Sequence, residues 1–277
     1  LDSEMRVRRE LEKDLRGALE RNEFHLVYQP QICYDAHRVT GTEALIRWVH
    51  PERGLVPPDL FIPLAEQNGS IIKIGEWVMD QACAQLRAWH DLGYTDLRMA
   101  INLSTVQLHN TELSRSVTNL MQRYALPPLS LEMEVTETGL MEDIGAAAAH
   151  LNSLKKAGVQ IAIDDFGTGY SSLSYLRGLP LDKIKIDKSF VQDVLVDEDD
   201  ATIVRAIIQL ARSLNMQVIA EGVETREQEA YIIAQGCNEG QGYLYSKPLA
   251  AKAFIDWLQA FDKQGHAAAS KEKKPSQ

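Results

Sequence analysis

The chain has 277 residues, 45% hydrophobic and 25% charged, which is the composition of an ordinary globular protein and enough length for one α/β barrel. Its formal net charge of −10 argues against a cationic surface for binding nucleic-acid polymers. No apolar run approaches the roughly 18 residues that a membrane-spanning helix needs. Three scattered cysteines, Cys33, Cys83 and Cys237, form no CxxC pair and indicate a reduced compartment. We therefore expect a cytoplasmic location, alone or as the cytoplasmic part of a membrane-anchored protein.

The two ends of the chain differ from its middle. Residues 1–22 follow a helical pattern with leucines on one stripe, which fits either a solvated capping helix or a connector from an upstream domain. Because the chain begins with Leu1 rather than methionine, we expect a piece of a longer protein. Residues 263–277 contain almost no large apolar side chains and are predicted to be disordered. Residues 23–262 remain as one domain.

Apolar runs typical of strands alternate with helical patterns along this domain. The eight candidate strands are 25–34, 40–48, 97–104, 130–137, 159–165, 183–187, 217–224 and 242–249. Helical patterns such as 75–93 and 200–215 separate most of them, which predicts a single (β/α)8 barrel of the TIM type. Only residues 35–38 join the first two strands, too few for a crossover helix. That pair is therefore predicted to be antiparallel, and the barrel to be modified.

Polar side chains stand at nearly every predicted strand end, where barrels of this type carry their active sites. They are Glu43, Asn102, Glu134, Glu137, Asp164, Asp165, Lys185, Asp187, Glu221 and Glu224. One acidic strand end is usually a helix cap or a surface charge, but carboxylates from five or more strands at one mouth need cations beside them. Carboxylate and amide oxygens without His or Cys favour Mg²⁺ or Mn²⁺ over zinc. The adjacent Asp164 and Asp165 fit a pair of metal ions of the kind used for in-line attack on phosphorus.

Seven segments resemble the EAL-domain family, bacterial phosphodiesterases that cut cyclic di-GMP to linear 5′-pGpG. They are EALIRW (43–48), INLS (101–104), EVTE (134–137), DDFGTGYSSL (164–173), KIKID (183–187), AEGVE (220–224) and GQGYLYSKPL (240–249). One such tripeptide would mean nothing, but the set runs from about Phe24 to Phe261 in the order and spacing of the family. Two departures are small: Gln31 stands where family members often carry an apolar residue, and Met133 lies beside a metal ligand.

The resemblance implies a role for each matching position. The implied ligands of the first metal are Glu43, Asn102, Glu134 and Asp164, and those of the second are Asp164 and Asp165. The implied catalytic residues are Lys185, which contacts the attacking water, with Glu43, Glu221 and Glu137. Glu137 matches a glutamate that steadies the loop 166–173, which in the family bears on activity and dimer contact. The implied substrate contacts are Gln29, Arg47, Asp187, Glu224 and Gln241, while Glu221 and Gln241 also act on the metals through bound waters.

The resulting expectation is a metal-dependent hydrolase that uses two Mg²⁺ or Mn²⁺ ions and is inhibited by Ca²⁺. Its expected partners are cyclic di-GMP, a second copy of the chain bound through the barrel, and an upstream sensor or GGDEF-type domain. Two alternatives are a non-catalytic cyclic di-GMP receptor and an enolase-type enzyme acting on carboxylic acids. The intact ligand set argues against the receptor, and the paired aspartates with the EAL-type motifs argue against the enolase type.

Overall fold

Nine strands form one sheet in the described part of the chain, and eight of them close into a barrel. The computed structural model describes residues 2–168 and 176–272, and within these ranges it describes side chains from residue 6 to residue 263. The strands are β1 (Phe24–Cys33), β2 (Arg38–His50), β3 (Gly54–Val56), β4 (Arg98–Leu103), β5 (Leu131–Thr136), β6 (Gln160–Phe166), β7 (Lys183–Ile186), β8 (Gln217–Ala220) and β9 (Glu239–Gly240). Their order around the barrel is β1-β9-β8-β7-β6-β5-β4-β2, and the pairing of β1 with β2 closes the ring.

Helices connect the parallel strands and cover the outside of the barrel. They are α1 (Asp2–Leu15), α2 (Pro58–Asn68), α3 (Ile71–Asp91), α4 (Thr105–Leu108), α5 (Leu113–Arg123), α6 (Glu137–Met141), α7 (Ile144–Lys156), α8 (Lys188–Gln192), α9 (Glu198–Ser213), α10 (Arg226–Ala234) and α11 (Ala251–Glu272). The helices predicted at 75–93 and 200–215 correspond to α3 and α9. Among the described helices, none has the length and apolar character needed to cross a membrane.

The first two strands pair antiparallel, as predicted. Phe24 lies opposite Trp48 and Cys33 opposite Arg38, and the four-residue turn between the strands leaves no room for a helix. β1 is also antiparallel to β9, whereas the barrel strands from β2 round to β9 are parallel to their neighbours. The prediction of a modified (β/α)8 barrel is confirmed.

Alternation along β5 separates an apolar outer face from a polar inner face. Leu131, Met133 and Val135 are buried on the helix side, while Glu132 and Glu134 are buried inside the barrel, where each meets a lysine of β7. The apolar core therefore lies between the barrel and its helices. The barrel interior carries charge instead of the branched apolar side chains that usually fill such barrels.

Two strand predictions differ from the structure, and one short strand was not predicted. The run 242–249 is not a strand: the backbone N–H groups of Tyr245 and Ser246 both donate to the carbonyl of Gly242, which makes a turn. The last barrel strand is the two-residue β9 before this turn. The predicted strand 217–224 ends at Ala220. The unpredicted strand is β3, which lies in the connection after β2 and is paired with β2.

Both chain ends also differ from their predictions. The helix predicted over 1–22 ends at Leu15, and Leu11 and Leu15 are buried in the core, where α1 packs against α2. Leu1 lies outside the described residues. The predicted disordered tail is helical through Glu272, because alanines at 267–269 favour the continuation of α11. Residues 273–277 lie outside the described residues.

Candidate active site

A fully buried lysine, Lys185, lies at the centre of the barrel mouth. Its Nζ atom lies 2.5 Å from Glu134 Oε2, 2.9 Å from Glu221 Oε1, 3.5 Å from Asp164 Oδ1 and 3.7 Å from Glu43 Oε2. These carboxylates come from β5, β6, β2 and the residue that follows β8. The structure thus brings together side chains from five separate strand ends, because the carboxyl ends of parallel strands share one edge of the barrel.

Side-chain amides hold Glu43 from the other side. Asn102 Nδ2 donates to Glu43 Oε1 and Gln241 Nε2 donates to Glu43 Oε2, each at 2.6 Å. Gln241 Nε2 also donates to Gln29 Oε1 at 3.0 Å, and Gln31 Nε2 donates to Gln241 Oε1 at 3.2 Å. Gln31 is not among the predicted site residues, although its spacing of two from Gln29 on β1 places both side chains on the inner face.

The end of β6 delivers two adjacent aspartates to the mouth because its backbone is irregular there. Asp165 has a φ of 53°, in the left-handed region that aspartate tolerates better than bulky residues do. The pairing of β6 with β7 also shifts between Ile163 and Phe166. A regular strand would send Asp164 and Asp165 to opposite faces. Here carboxylate oxygens of Asp164, Asp165 and Glu221 all lie within 4.8 Å of one another.

Crowding changes the acidity of these groups. Burial and repulsion from neighbouring carboxylates raise the pKa of Glu134 well above its ordinary value, that of Glu221 to about 8 and that of Asp165 to about 6. Burial disfavours the charged form of Lys185, but the surrounding carboxylates outweigh it and raise the pKa of this lysine well above its ordinary value. One ammonium group thus faces several carboxylates, so the site favours additional cations.

The donor set fits divalent metal ions. Glu134 Oε1 is buried and accepts no hydrogen bond from any described residue, which is unfavourable unless another group satisfies it. The predicted metal ligands offer only oxygen atoms to a cation, provided that the amide of Asn102 turns its carbonyl inward. They are Glu43, Asn102, Glu134, Asp164 and Asp165. Such oxygen sets suit Mg²⁺ and Mn²⁺.

Glu137 contacts the loop that follows β6, away from the Lys185 cluster. It is the first residue of α6 and is buried, and its Oε2 accepts a hydrogen bond from the Gly167 N–H at 3.1 Å. The Thr168 hydroxyl donates to the backbone carbonyl of Asp165 at 2.8 Å. Residues 169–173 of this loop lie outside the described residues.

A cavity of about 390 Å³ adjoins the acidic cluster. Asn102, Asp164 and Asp165 line one side of it, and Arg47, on β2, lines another. Arg47 is only half-buried, and its guanidinium donates to a backbone carbonyl at 2.9 Å. The arrangement places a cationic group next to the acidic cluster with space between for a ligand.

Asp187 and Glu224, two predicted substrate contacts, lie at the rim of the mouth. Asp187 caps α8 by accepting a hydrogen bond from the Ser189 N–H at 2.9 Å. Glu224 is exposed, and its Oε1 accepts from Gln192 Nε2 at 3.4 Å. Both carboxylates are thus linked to α8, the short helix that follows β7.

The chain is similar to known proteins over most of its length. A family model described as the EAL domain matches residues 12–248. The chain is 47% identical over 242 residues to the bifunctional diguanylate cyclase/cyclic di-GMP phosphodiesterase MucR of Pseudomonas aeruginosa, a match that covers 87% of this chain and 35% of MucR. It is 40% identical over 254 residues to the cyclic di-GMP phosphodiesterase PdeR of Escherichia coli, covering 92% of this chain and 38% of PdeR.

Solved structures agree with this similarity. The PaMucR phosphodiesterase in complex with cyclic di-GMP matches with a TM-score of 0.85 and 47% identity, covering 88% of this chain and 99% of that one. The EAL enzyme Bd1971, bound to cAMP and cyclic di-GMP, matches with a TM-score of 0.87 and 36% identity, covering 92% and 70%. The chain spans about a third of the length of the curated relatives it matches.

Proposed function

This chain belongs to the EAL-domain family, and on that premise we propose that it hydrolyses cyclic di-GMP to linear 5′-pGpG with the help of divalent cations. The observation that carries the proposal is the buried ammonium group of Lys185 among carboxylates from four other strand ends. The names of MucR and PdeR as cyclic di-GMP phosphodiesterases support the choice of substrate.

The residues that would hold the cations are Glu43, Asn102, Glu134, Asp164 and Asp165. When bound, Mg²⁺ or Mn²⁺ supplies Lewis-acid stabilisation of charge at phosphorus and promotes ionisation of water. In the reaction, a water oxygen forms a bond to phosphorus, the bond from phosphorus to the 3′ oxygen breaks, and that oxygen leaves with a proton.

Lys185 would orient the attacking water by donating hydrogen bonds to it. An ammonium group has three N–H donors and no lone pair, so the charged form of this lysine can orient a water molecule but cannot accept a proton from it. Glu221, whose Oε1 lies 2.9 Å from Lys185 Nζ, would hold the lysine in place. Gln241 would fix the Glu43 carboxylate through the hydrogen bond already formed between them.

Arg47 would bind the phosphodiester. A guanidinium group pairs two of its N–H donors with two phosphate oxygens, and Arg47 lines the cavity that reaches Asp164 and Asp165. Gln29, Asp187 and Glu224 are proposed as further ligand contacts.

The wider setting of the chain is also a proposal. The curated relatives are about three times as long as the matched region, which supports a catalytic module joined to an upstream sensor or GGDEF-type domain. The three cysteines are free, in agreement with a reducing, cytoplasmic setting. A homodimer through the barrel is proposed from the family resemblance, and analytical ultracentrifugation of the chain tests it.

Incubation with cyclic di-GMP and Mg²⁺ or Mn²⁺, followed by chromatography of the nucleotides, tests the proposed activity. We expect conversion to the linear dinucleotide. The matched control is Lys185→Met, which keeps an unbranched side chain of similar length without the charge; it should bind the nucleotide without turning it over. Binding by the parent chain with no product would identify a receptor, and activity on carboxylic acids instead would favour the enolase type.

A further inference from the structure

A second charged network lies inside the barrel, on the strand segments that precede the active-site residues. Lys183 Nζ lies 2.8 Å from Glu132 Oε2 and 2.8 Å from Glu239 Oε2, and all three side chains are buried. Arg98 Nη2 lies 2.9 Å from Glu239 Oε1, which also accepts a hydrogen bond from the Thr40 hydroxyl at 3.2 Å. We call these five residues the lower network. None of them belongs to the predicted site.

Three strands carry one residue of the lower network and, two positions later, one residue of the active site. The pairs are Glu132 with Glu134 on β5, Lys183 with Lys185 on β7, and Glu239 with Gln241 at β9. Side chains two positions apart on a strand face the same way and are separated by roughly 6.6 Å along it. A contact that fixes the position of the first side chain of a pair therefore also fixes the height of the second side chain, meaning its position along the barrel axis.

The lysine of the lower network reaches across an intervening strand. β6 lies between β5 and β7, and its Ala162 is paired with Glu134 on one side and with Lys183 on the other. Ala162 has no side-chain atom beyond Cβ, and Lys183 Nζ contacts Glu132 Oε1 across this strand at 3.2 Å. Arg98 makes a further cross-strand link, because its Nη1 donates to Gln160 on β6 at 3.1 Å.

The lower network is balanced in charge, unlike the active site. It contains two cations, Lys183 and Arg98, and two carboxylates, Glu132 and Glu239, so it needs no ligand to be complete. Buried ion pairs are often no more stabilising than apolar side chains of similar volume. A hydrogen bond within such a network adds geometric definition, because the donor must meet its acceptor within a narrow range of distance and angle. Lys183 Nζ donates one to Glu132 Oε1 at 3.2 Å, while its 2.8 Å contact with Glu239 Oε2 is an ion pair.

We propose that the lower network positions the active site: by bridging β5, β7 and β9, Lys183 fixes the relative heights of Glu134, Lys185 and Gln241. Lys183 is then a positioning residue that touches neither substrate nor cation. The kinetic consequence rests on the proposed hydrolysis, and the consequence for Mn²⁺ binding rests only on the proposed cation site.

The double variant Lys183→Met/Glu132→Leu tests this inference in the full 277-residue chain. It replaces one ion pair by apolar side chains of similar volume and leaves Glu239 paired with Arg98 and Thr40. We expect a folded protein whose kcat is lower by about tenfold or more with a smaller change in KM, because small displacements of catalytic groups reduce rates by such factors. We also expect weaker Mn²⁺ binding by calorimetry.

Leu86→Ala is the matched control. Leu86 is buried in α3, in the part of that helix nearer to the start of β4. Its truncation to alanine should lower stability without removing a charged group. It should keep the parental kcat and Mn²⁺ affinity. A double variant that matches Leu86→Ala in kcat and in Mn²⁺ affinity would overturn the positioning role.

Two further arms keep the test decisive. If the parent chain does not hydrolyse cyclic di-GMP, the proposed function fails. The positioning role is then tested by Mn²⁺ binding alone, and it is overturned if the double variant and Leu86→Ala bind Mn²⁺ with equal affinity. Should the double variant not fold, Lys183→Arg replaces it, since this change keeps the charge but moves the donor atoms. Parental kcat and Mn²⁺ affinity in Lys183→Arg would then overturn the inference.

Discussion

At the scale of single residues, the site depends on how carboxylates share one ammonium group. Lys185 lies within 3.7 Å of Glu43, Glu134, Asp164 and Glu221, and its one positive charge cannot offset these four carboxylates when all of them are ionised. Burial makes the imbalance more severe, since charges in a low-dielectric interior interact more strongly than in water. Removing any one of these carboxylates should therefore change the charge balance at Lys185 and with it the function of the site.

Glu43→Ala should abolish hydrolysis, because it removes a carboxylate that accepts hydrogen bonds from Asn102 and Gln241 and is a proposed cation ligand. Binding of the nucleotide should survive through Arg47. Turnover and calorimetric binding of cyclic di-GMP, measured side by side, check this. Glu76→Ala, at an exposed position of α3, is the control for loss of a carboxylate. Near-parental turnover at saturating Mg²⁺ would remove Glu43 from the metal site.

Protons and cations should compete at Asp165 and Glu221, whose pKa values are raised to about 6 and about 8 in the cation-free site. When the pKa of a carboxyl group is higher in the folded state than in the unfolded state, the group stabilises the fold through its bound proton. This stabilisation is complete below the unfolded-state pKa and is lost as the pH rises through the folded-state pKa. The Tm of the cation-free protein should therefore fall from about pH 5 to about pH 8 through these groups.

Cation binding reverses this loss, because the metal replaces the protons. Mn²⁺ should thus raise the Tm more at pH 8 than at pH 5, as thermal scans with and without a chelator would reveal. Asp165→Asn should reduce this difference, and asparagine accepts the left-handed backbone at that position. Equal Mn²⁺ effects at both pH values would contradict the prediction.

At the scale of elements, the turn after β6 is fixed by a contact from α6. Gly167 has a φ of 98°, and a Cβ atom there would lie 3.0 Å from the ring of Phe190, so the position requires glycine. Such a turn is free to move unless its backbone groups are held. The Oε2 atom of Glu137 holds the Gly167 N–H.

Glu137→Ala should lower turnover by about tenfold or more, since it releases the turn beside Asp165 and misplaced groups reduce rates by such factors. The fold and the first metal should be retained, because Glu137 is not among the proposed ligands of that metal, which are Glu43, Asn102, Glu134 and Asp164. Turnover, Mn²⁺ affinity and Tm need to be measured together. Glu137→Gln, which keeps an acceptor oxygen, should lose less activity. Unchanged turnover would exclude the anchoring role, and a collapse of Tm would reassign Glu137 to stability.

The same elements show what sequence patterns can and cannot predict. The antiparallel first pair was predictable, because four residues cannot hold a crossover helix. The convergence of Glu43, Glu134 and Lys185 was predictable too, since parallel strands end at one edge. The turn at 242–249 was not, because its alternation imitates a strand and the hydrogen bonds to Gly242 that break it are tertiary details.

The lower network could not be predicted, for a related reason. Lys183 and Glu132 occupy alternating positions of β7 and β5, but nothing in either strand reveals that they meet across β6. The left-handed backbone of Asp165 was equally hidden, since most aspartates adopt other conformations even though this residue type is enriched in the left-handed one.

At the scale of the whole molecule, the barrel interior is neutral at one end and strongly acidic at the other. The lower network balances its own charges, whereas the mouth around Lys185 requires cations. A rigid acidic mouth on a closed barrel should discriminate between cations by size and coordination number.

Ca²⁺ should therefore bind but support little turnover, because it prefers a larger and more flexible oxygen shell than Mg²⁺ does. Adding Ca²⁺ to a reaction with fixed Mg²⁺ should inhibit hydrolysis, and excess Mg²⁺ should relieve the inhibition. Initial rates over a matrix of the two ions measure this directly. Equal rates with either ion alone would mean that cation geometry matters less than the site indicates.

Mass spectrometry of the product formed in ¹⁸O-labelled water shows whether the carboxylates around Lys185 form a site for hydrolysis of a phosphodiester. We predict linear 5′-pGpG that carries one ¹⁸O atom on its terminal phosphate when Mg²⁺ or Mn²⁺ is present, and intact cyclic di-GMP when a chelator is added. Cyclic di-GMP that stays bound and intact with both ions supplied, or a linear product without the label, would contradict this prediction.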